Sequence, residues 1–89
     1  MSTNVILPKW GLTMEDGIVV AWHVAVGDAV SAGQVIAEVE TEKVENDLES
    51  PCDGVVAQIL VAEEEEVDVG TVLAVIAADQ AEAAAIGGG

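Results

Sequence analysis

Hydrophobic residues in this chain come in short runs cut by turn formers. Val5–Leu7, Ile18–Val26, Val35–Val39, Val55–Val61 and Val72–Ala78 are separated by Pro8, Gly11, Glu15-Asp16-Gly17, Gly27-Asp28, Gly33, Pro51, Asp53-Gly54 and Gly70. Strand-length runs rich in β-branched residues, set between Gly, Pro and Asp, predict many short strands. No window before residue 77 keeps a 3.6-residue period. Residues 77–86 are Ala-rich and could be helical, but three glycines follow. Residues 1–77 therefore read as one folded domain and 78–89 as an Ala/Gly-rich linker or tail.

The pattern repeats. With an offset of 37 residues, Asp16–Val39 lies on Asp53–Ile76 without a gap, with nine identities in 24 positions. Asp16-Gly17 matches Asp53-Gly54, Val24-Ala25 matches Val61-Ala62, and Gly33 matches Gly70. Two similar half-domains completing one core is the reading of such a repeat. Between the halves, Val35, Ala37 and Val39 alternate with Ile36, Glu38 and Glu40, and Val44, Asn46 and Leu48 alternate with Glu45, Asp47 and Glu49. Two alternating segments joined by a polar turn predict a hairpin. A two-fold relation between the halves would put its tip opposite the chain ends.

Composition narrows the class. Hydrophobic residues make up 52% of the chain, with 16 Val, no Phe and no Tyr, which favours strands around a small core over disorder. Seventeen acids against two Lys+Arg give a net charge of −15. That excludes a nucleic-acid footprint and argues against anionic membrane surfaces, and it favours a partner surface of opposite sign. The single Cys52 fits a reducing, cytoplasmic setting, and one His with one Cys cannot build a zinc site. No apolar run is long enough to span a membrane, and the first residues lack a signal-peptide pattern.

Lys43 is the sharpest chemical feature. It is the only Lys or Arg after Trp10 and sits at the predicted hairpin tip among Glu40, Glu42 and Glu45, with Glu38 and Asp47 on the flanks. A solvated surface lysine is the plain reading. A lone tip lysine is also a natural address for covalent modification. Neighbouring carboxylates favour its charged form, so a separate enzyme would have to deprotonate it and supply an activated acyl group. Other candidates are weaker. The acid run Glu63–Glu66 lacks a calcium-loop pattern and reads as a solvated loop, with a weak cation site as the alternative. His23 reads as a packed or edge residue in mid-strand, and Cys52 as a bystander. Trp10, Leu12 and Met14 read as loop or core packing, with partner contact as the alternative.

Residues 5–77 resemble a lipoyl domain, of the biotinyl/lipoyl attachment family. The resemblance rests on Pro8-Lys9-Trp10-Gly11-Leu12-Thr13-Met14-Glu15-Asp16-Gly17, Gly27-Asp28-Ala29-Val30, Glu40-Thr41-Glu42-Lys43-Val44 and Ser50-Pro51-Cys52-Asp53-Gly54-Val55-Val56. Gly33 and Gly54 flank Lys43 at 10 and 11 residues. The usual Asp-Lys-Ala is here Glu42-Lys43-Val44, and the Met-Lys-Met of biotinyl domains is absent. The segment Lys9–Met14 is most similar to acyltransferase components of acetoin dehydrogenase complexes.

The resemblance implies an all-β, flattened barrel or sandwich of two four-stranded antiparallel sheets with an internal pseudo-two-fold. It implies lipoic acid in amide linkage on Lys43, with Glu42, Val44, Glu40, Gly33 and Gly54 supporting the hairpin and its recognition. The isolated domain would be a monomeric carrier with no catalytic residues and no metal. Its swinging arm would take an acyl group from a thiamin-diphosphate-dependent component and deliver it to an acyltransferase core. A dihydrolipoyl dehydrogenase would then reoxidise it. A lipoate-attaching enzyme would load it. Rival readings are a biotinyl carrier, an unmodified acidic interaction module, and the longer lipoyl-bearing H protein of glycine cleavage.

Overall fold

Alternation in Val35–Glu40 and Glu45–Glu49 becomes two paired strands, and the other apolar runs pair around them. The computed structural model describes residues 2–11, 14–41 and 44–87. In chain order the strands are β1 (Thr3–Ile6), β2 (Asp16–Trp22), β3 (Ala29–Val30), β4 (Val35–Glu40), β5 (Glu45–Glu49), β6 (Gly54–Ile59), β7 (Glu65–Asp68) and β8 (Val72–Ala77). A helix, α1 (Gln80–Gly87), follows. One antiparallel sheet runs β1-β8-β6-β3 and the second runs β5-β4-β2-β7. The expected sandwich of two four-stranded sheets is therefore what the chain forms.

The offset of 37 carries β2, β3 and β4 onto β6, β7 and β8, and the two sheets have the same order of equivalent strands. Hydrogen bonds repeat with it. The His23 amide donates to the Ile36 carbonyl at 2.8 Å, and the Leu60 amide to the Leu73 carbonyl at 2.8 Å. Ala25 N–H donates to Asp28 Oδ2 at 2.8 Å, and Ala62 N–H to Glu65 Oε1 at 3.1 Å. Gly27 N–H reaches the Val56 carbonyl, and Glu64 N–H the Val19 carbonyl, so each half stitches a turn onto the other. The internal duplication is thus a property of the backbone, not of Val/Ala composition.

Inward residues of both sheets meet in one core of Leu7, Val19, Ile36, Val39, Val56, Leu73 and Ile76, each nearly or fully buried. A second, smaller cluster lies outside the first sheet, where Val55, Ala57, Val75 and Ala77 pack against Ala83 of α1. The segment after Ala78 thus begins as a docked helix. Asp79 caps it, accepting from Glu82 N–H at 2.9 Å, while Glu82 Oε1 accepts from Ala78 N–H at 2.9 Å. Gln80 Nε2 ties it to the Gly27 carbonyl at 3.1 Å.

Two local expectations change. The acid run read as a loop is half strand: Glu65–Asp68 pairs with Asp16–Val19 of β2. Alternation was hidden because only Val67 breaks the run of acids, and pairing with β2 overrides the low strand propensity of Glu. His23 lies just past the end of β2 rather than in mid-strand, exposed, with Nε2 at 3.8 Å from Glu38 Oε1. Among the described residues, no helix is long and apolar enough to cross a membrane.

Candidate functional site

The hairpin β4–β5 is held in register by the pairs Glu40–Glu45, Val39–Asn46, Glu38–Asp47, Ala37–Leu48 and Val35–Glu49. Its inner side is anchored: Ala37 and Val39 are fully buried and Leu48 nearly so. Its base is closed by Gly33 N–H donating to the Ser50 carbonyl at 2.9 Å and Ser50 N–H to the Gln34 carbonyl at 2.8 Å. Gly33 has φ +83°, a left-handed conformation that suits glycine. At the other end, Thr41 N–H donates to the Val44 carbonyl at 2.8 Å and Thr41 Oγ1 to the same oxygen at 3.2 Å. The chain between these two residues is Glu42-Lys43, and both lie outside the described residues, as do Leu12 and Thr13 of the early loop.

Of the residues expected to support the hairpin, Glu40 and Val44 flank the tip and are exposed, Val44 by 55%. Gly33 and Gly54 do not join them. They sit at the opposite end, where Gly54 begins β6 and pairs with Val30. A Cβ on Gly54 would stand 2.2 Å from the Ala77 carbonyl oxygen, so the residue is fixed by strand packing. Its counterpart Gly17 is less tight, with Val39 Cγ1 at 3.0 Å. The glycine of the Asp-Gly pair that marks each half is therefore a packing device.

Electrostatically the paired strands of the hairpin are one-sided. Glu40 faces Glu45, and Glu38 faces Asp47, so two like-charged pairs lie across the hairpin. Such pairs cost a few tenths of a kcal/mol or more each, in the range of about 0.2–1 kcal/mol for cross-strand contacts. Beside the tip, Asp16, Gly17, Ile18, Glu40, Thr41 and Glu66 line a shallow cleft. Inside the hairpin, Asn46 Nδ2 is buried without a partner among the described residues. Trp10 is 39% exposed in the early loop, its amide donating to Met14 Sδ at 3.4 Å, while Met14 packs on the core. Cys52 is half-buried against the core, and no group of His, Cys, Asp and Glu among the described residues could hold a metal. Sequence reasoning missed Ile18 and Glu66 as neighbours of the tip. Nothing in the linear order joins them to residue 40, since β2 reaches β4 and β7 only through the sheet.

An acidic hairpin on a small all-β sandwich with an internal two-fold is the frame of the site. The biotin/lipoyl family model, described as "Biotin-requiring enzyme", matches residues 3–76. The chain is similar to the dihydrolipoyllysine-residue acetyltransferase component of the acetoin cleaving system of Bacillus subtilis, 41% identical over 85% of this chain and 19% of that protein. It is 39% identical to the corresponding component of the pyruvate dehydrogenase complex of Corynebacterium glutamicum, over 93% of this chain and 12% of that protein. Among solved structures, the lipoyl domain of the 2-oxoglutarate dehydrogenase complex of Azotobacter vinelandii superposes with a TM-score of 0.71 at 30% identity, covering 85% of this chain and 96% of that one. The chain belongs to the biotinyl/lipoyl attachment family and is a lipoyl domain, a carrier whose relatives bear lipoic acid covalently on a lysine. It spans about a fifth or less of the length of these curated relatives.

Proposed function

We propose that Lys43 is the attachment residue and that the domain carries lipoic acid there through an amide to Nζ. The observation that carries this reading is the closure of the hairpin between Thr41 and Val44, the two described residues that bracket Glu42-Lys43 in the sequence. The residues present fit the group. An amide needs one accessible primary amine on a firm stem, and the chain has only two lysines, Lys9 and Lys43. The buried inner face of β4–β5 supplies the stem, and exposed Glu40, Val44 and Glu45 leave an attaching enzyme room to approach. Glu42 and Val44 are the immediate neighbours it would read.

When bound, lipoic acid supplies a dithiolane that takes up acyl groups and reducing equivalents; the protein's part is address and delivery. A loaded domain tethered within a multienzyme complex raises the effective concentration of its arm at each active site. By likeness to the relatives, those sites belong to a thiamin-diphosphate-dependent dehydrogenase, an acyltransferase core and a dihydrolipoyl dehydrogenase. The complex would act on a 2-oxo acid or on acetoin, in the cytoplasm. Residues 1–77 form the carrier, and the Ala/Gly-rich 78–89, which begin with the docked α1, lead from it toward the tether.

Intact mass after incubation with lipoate and a lipoate-attaching enzyme tests the assignment. One lipoyl mass should be gained by the native chain and by Lys9→Gln, and none by Lys43→Gln. Gain at Lys9 would overturn the site. Loading by biotin in place of lipoate would favour the biotinyl reading, and no gain with either would leave an acidic interaction module.

A further inference from the structure

The two sheets differ on their outer faces. Outside the first sheet, Val55, Ala57, Val75 and Ala77 are covered by α1. The equivalent positions on the second sheet, by the offset of 37, are Ile18, Val20, Glu38 and Glu40, and no element among the described residues covers them. Val19 points into the core, so Ile18 faces outward. Its partners on the two neighbouring strands are Glu40 and Glu66, and Glu40 pairs onward with Glu45. At a strand spacing of about 4.8 Å, the row Glu45, Glu40, Ile18, Glu66 crosses roughly 14 Å of sheet. The cleft lies on this row, beside the hairpin, with Asp16 and Thr41 at its margin. Among the described residues no cation lies within ion-pairing distance of Glu40 or Glu66; His23 Nε2 lies 3.8 Å from Glu38 Oε1 instead.

An aliphatic floor between carboxylates on both flanking strands suits one kind of side chain. A long cationic residue lays its methylene stem on apolar surface and keeps its head at the polar edge. Arginine fits better than lysine, because its planar fork can donate to two separate carboxylates at once. An anion would be repelled, and an apolar partner would desolvate the carboxylates without pairing them. The incoming charge would also relieve the repulsion between Glu40 and Glu45. We propose that this cleft is a docking site for an arginine side chain of a protein partner that faces the attachment hairpin. The site is built by the sheet alone and stands independently of the assignment of Lys43.

Titration of the isotope-labelled domain with the peptide acetyl-Ala-Arg-Ala-amide, followed by amide chemical shifts, tests it. Saturable shifts should centre on residues 16–18, 40–41 and 66. The citrulline peptide, equal in shape but neutral, should bind at least about tenfold more weakly, as charge-assisted hydrogen bonds are lost. The Glu40→Gln/Glu66→Gln variant should weaken the arginine peptide by a similar factor, and Ile18→Ser by about threefold through lost stem contact. Glu49→Gln, outside the row, should change nothing. Equal binding of the citrulline peptide, shifts spread evenly over residues 45–49 and 63–65, or unchanged binding to the double variant would overturn the proposal. Far-UV circular dichroism confirms that each variant is folded. Lipoylation of Glu66→Gln, read by mass, separates a failure here from a failure at Lys43.

Discussion

The turn after β2 and the turn after β6 follow one plan with different residues. In the first, Gly27 has φ +97°; in the second, at the equivalent position, Glu64 has φ +68°. Both donate their amides across to the other half, and both turns are buttressed by a carboxylate that accepts from the amide three residues before it. For an L-residue the left-handed region costs roughly 1–2 kcal/mol, which glycine avoids. Glu64 bears that cost because the cross-half hydrogen bond and the Ala62–Glu65 contact fix the backbone. The duplicated halves have kept the bonds that set shape. They have diverged where side chains meet the surroundings: a helix over one sheet, carboxylates over the other.

The equivalent glycines give the strongest way to break the symmetry. Gly54→Ala places a Cβ against the Ala77 carbonyl oxygen, a backbone atom, whereas the tightest contact for Gly17→Ala is a side-chain methyl, Val39 Cγ1 at 3.0 Å. Overpacking costs typically 1–3 kcal/mol, so urea unfolding should show a loss of about 3 kcal/mol or more for Gly54→Ala and about 1 kcal/mol for Gly17→Ala. Equal losses would mean that the halves are not distinguished by strand approach. Exchanging the turns comes next. Gly27→Ala should destabilise by about 1–2 kcal/mol, and Glu64→Gly should stabilise by roughly 0.5–1 kcal/mol, since glycine's extra freedom in the unfolded chain offsets part of the relief. The smallest effect belongs to the hairpin. Asn46 faces Val39 with a buried amide nitrogen that has no partner among the described residues, while Thr3, at the corresponding place on β1, is exposed. Asn46→Leu should raise the thermal midpoint by a few degrees, on the order of 1 kcal/mol, by removing an unmet donor.

Much of this was legible in the chain. Period-two alternation either side of Lys43 foretold β4 and β5, and the offset of 37 foretold two similar halves completing one core. The β4–β5 hairpin was legible for the same reason: local alternation and a turn need no long-range information. Three things were not. β3 is two residues, Ala29–Val30, too short to carry a period. β7 lies in an acid run whose strand character comes from pairing with β2. The docking of α1 depends on an apolar outer face of the first sheet, and a run such as Val72–Ala77 reads the same whether one of its faces is covered or both. The glycines at 33 and 54 show the converse limit. Their spacing from Lys43 was visible, but the structure places them at the far end, where they govern chain reversal and strand approach.

The sandwich is also a lever with its handle at one end. β1 begins and β8 ends side by side, with Thr3 paired to Ile76, at the pole where Gly33, Ser50 and Gly54 gather. Glu40 and Thr41 stand at the other pole, about 20 Å away along the six residues of β4. Tension applied through both ends of the domain is therefore borne by the antiparallel β1–β8 pair of the first sheet, and the hairpin carries none of it. Rotation about that pole sweeps the far tip through an arc whose radius is the full length of the sandwich. A small turn at the anchor thus becomes a large excursion at the tip, with no joint needed inside the fold.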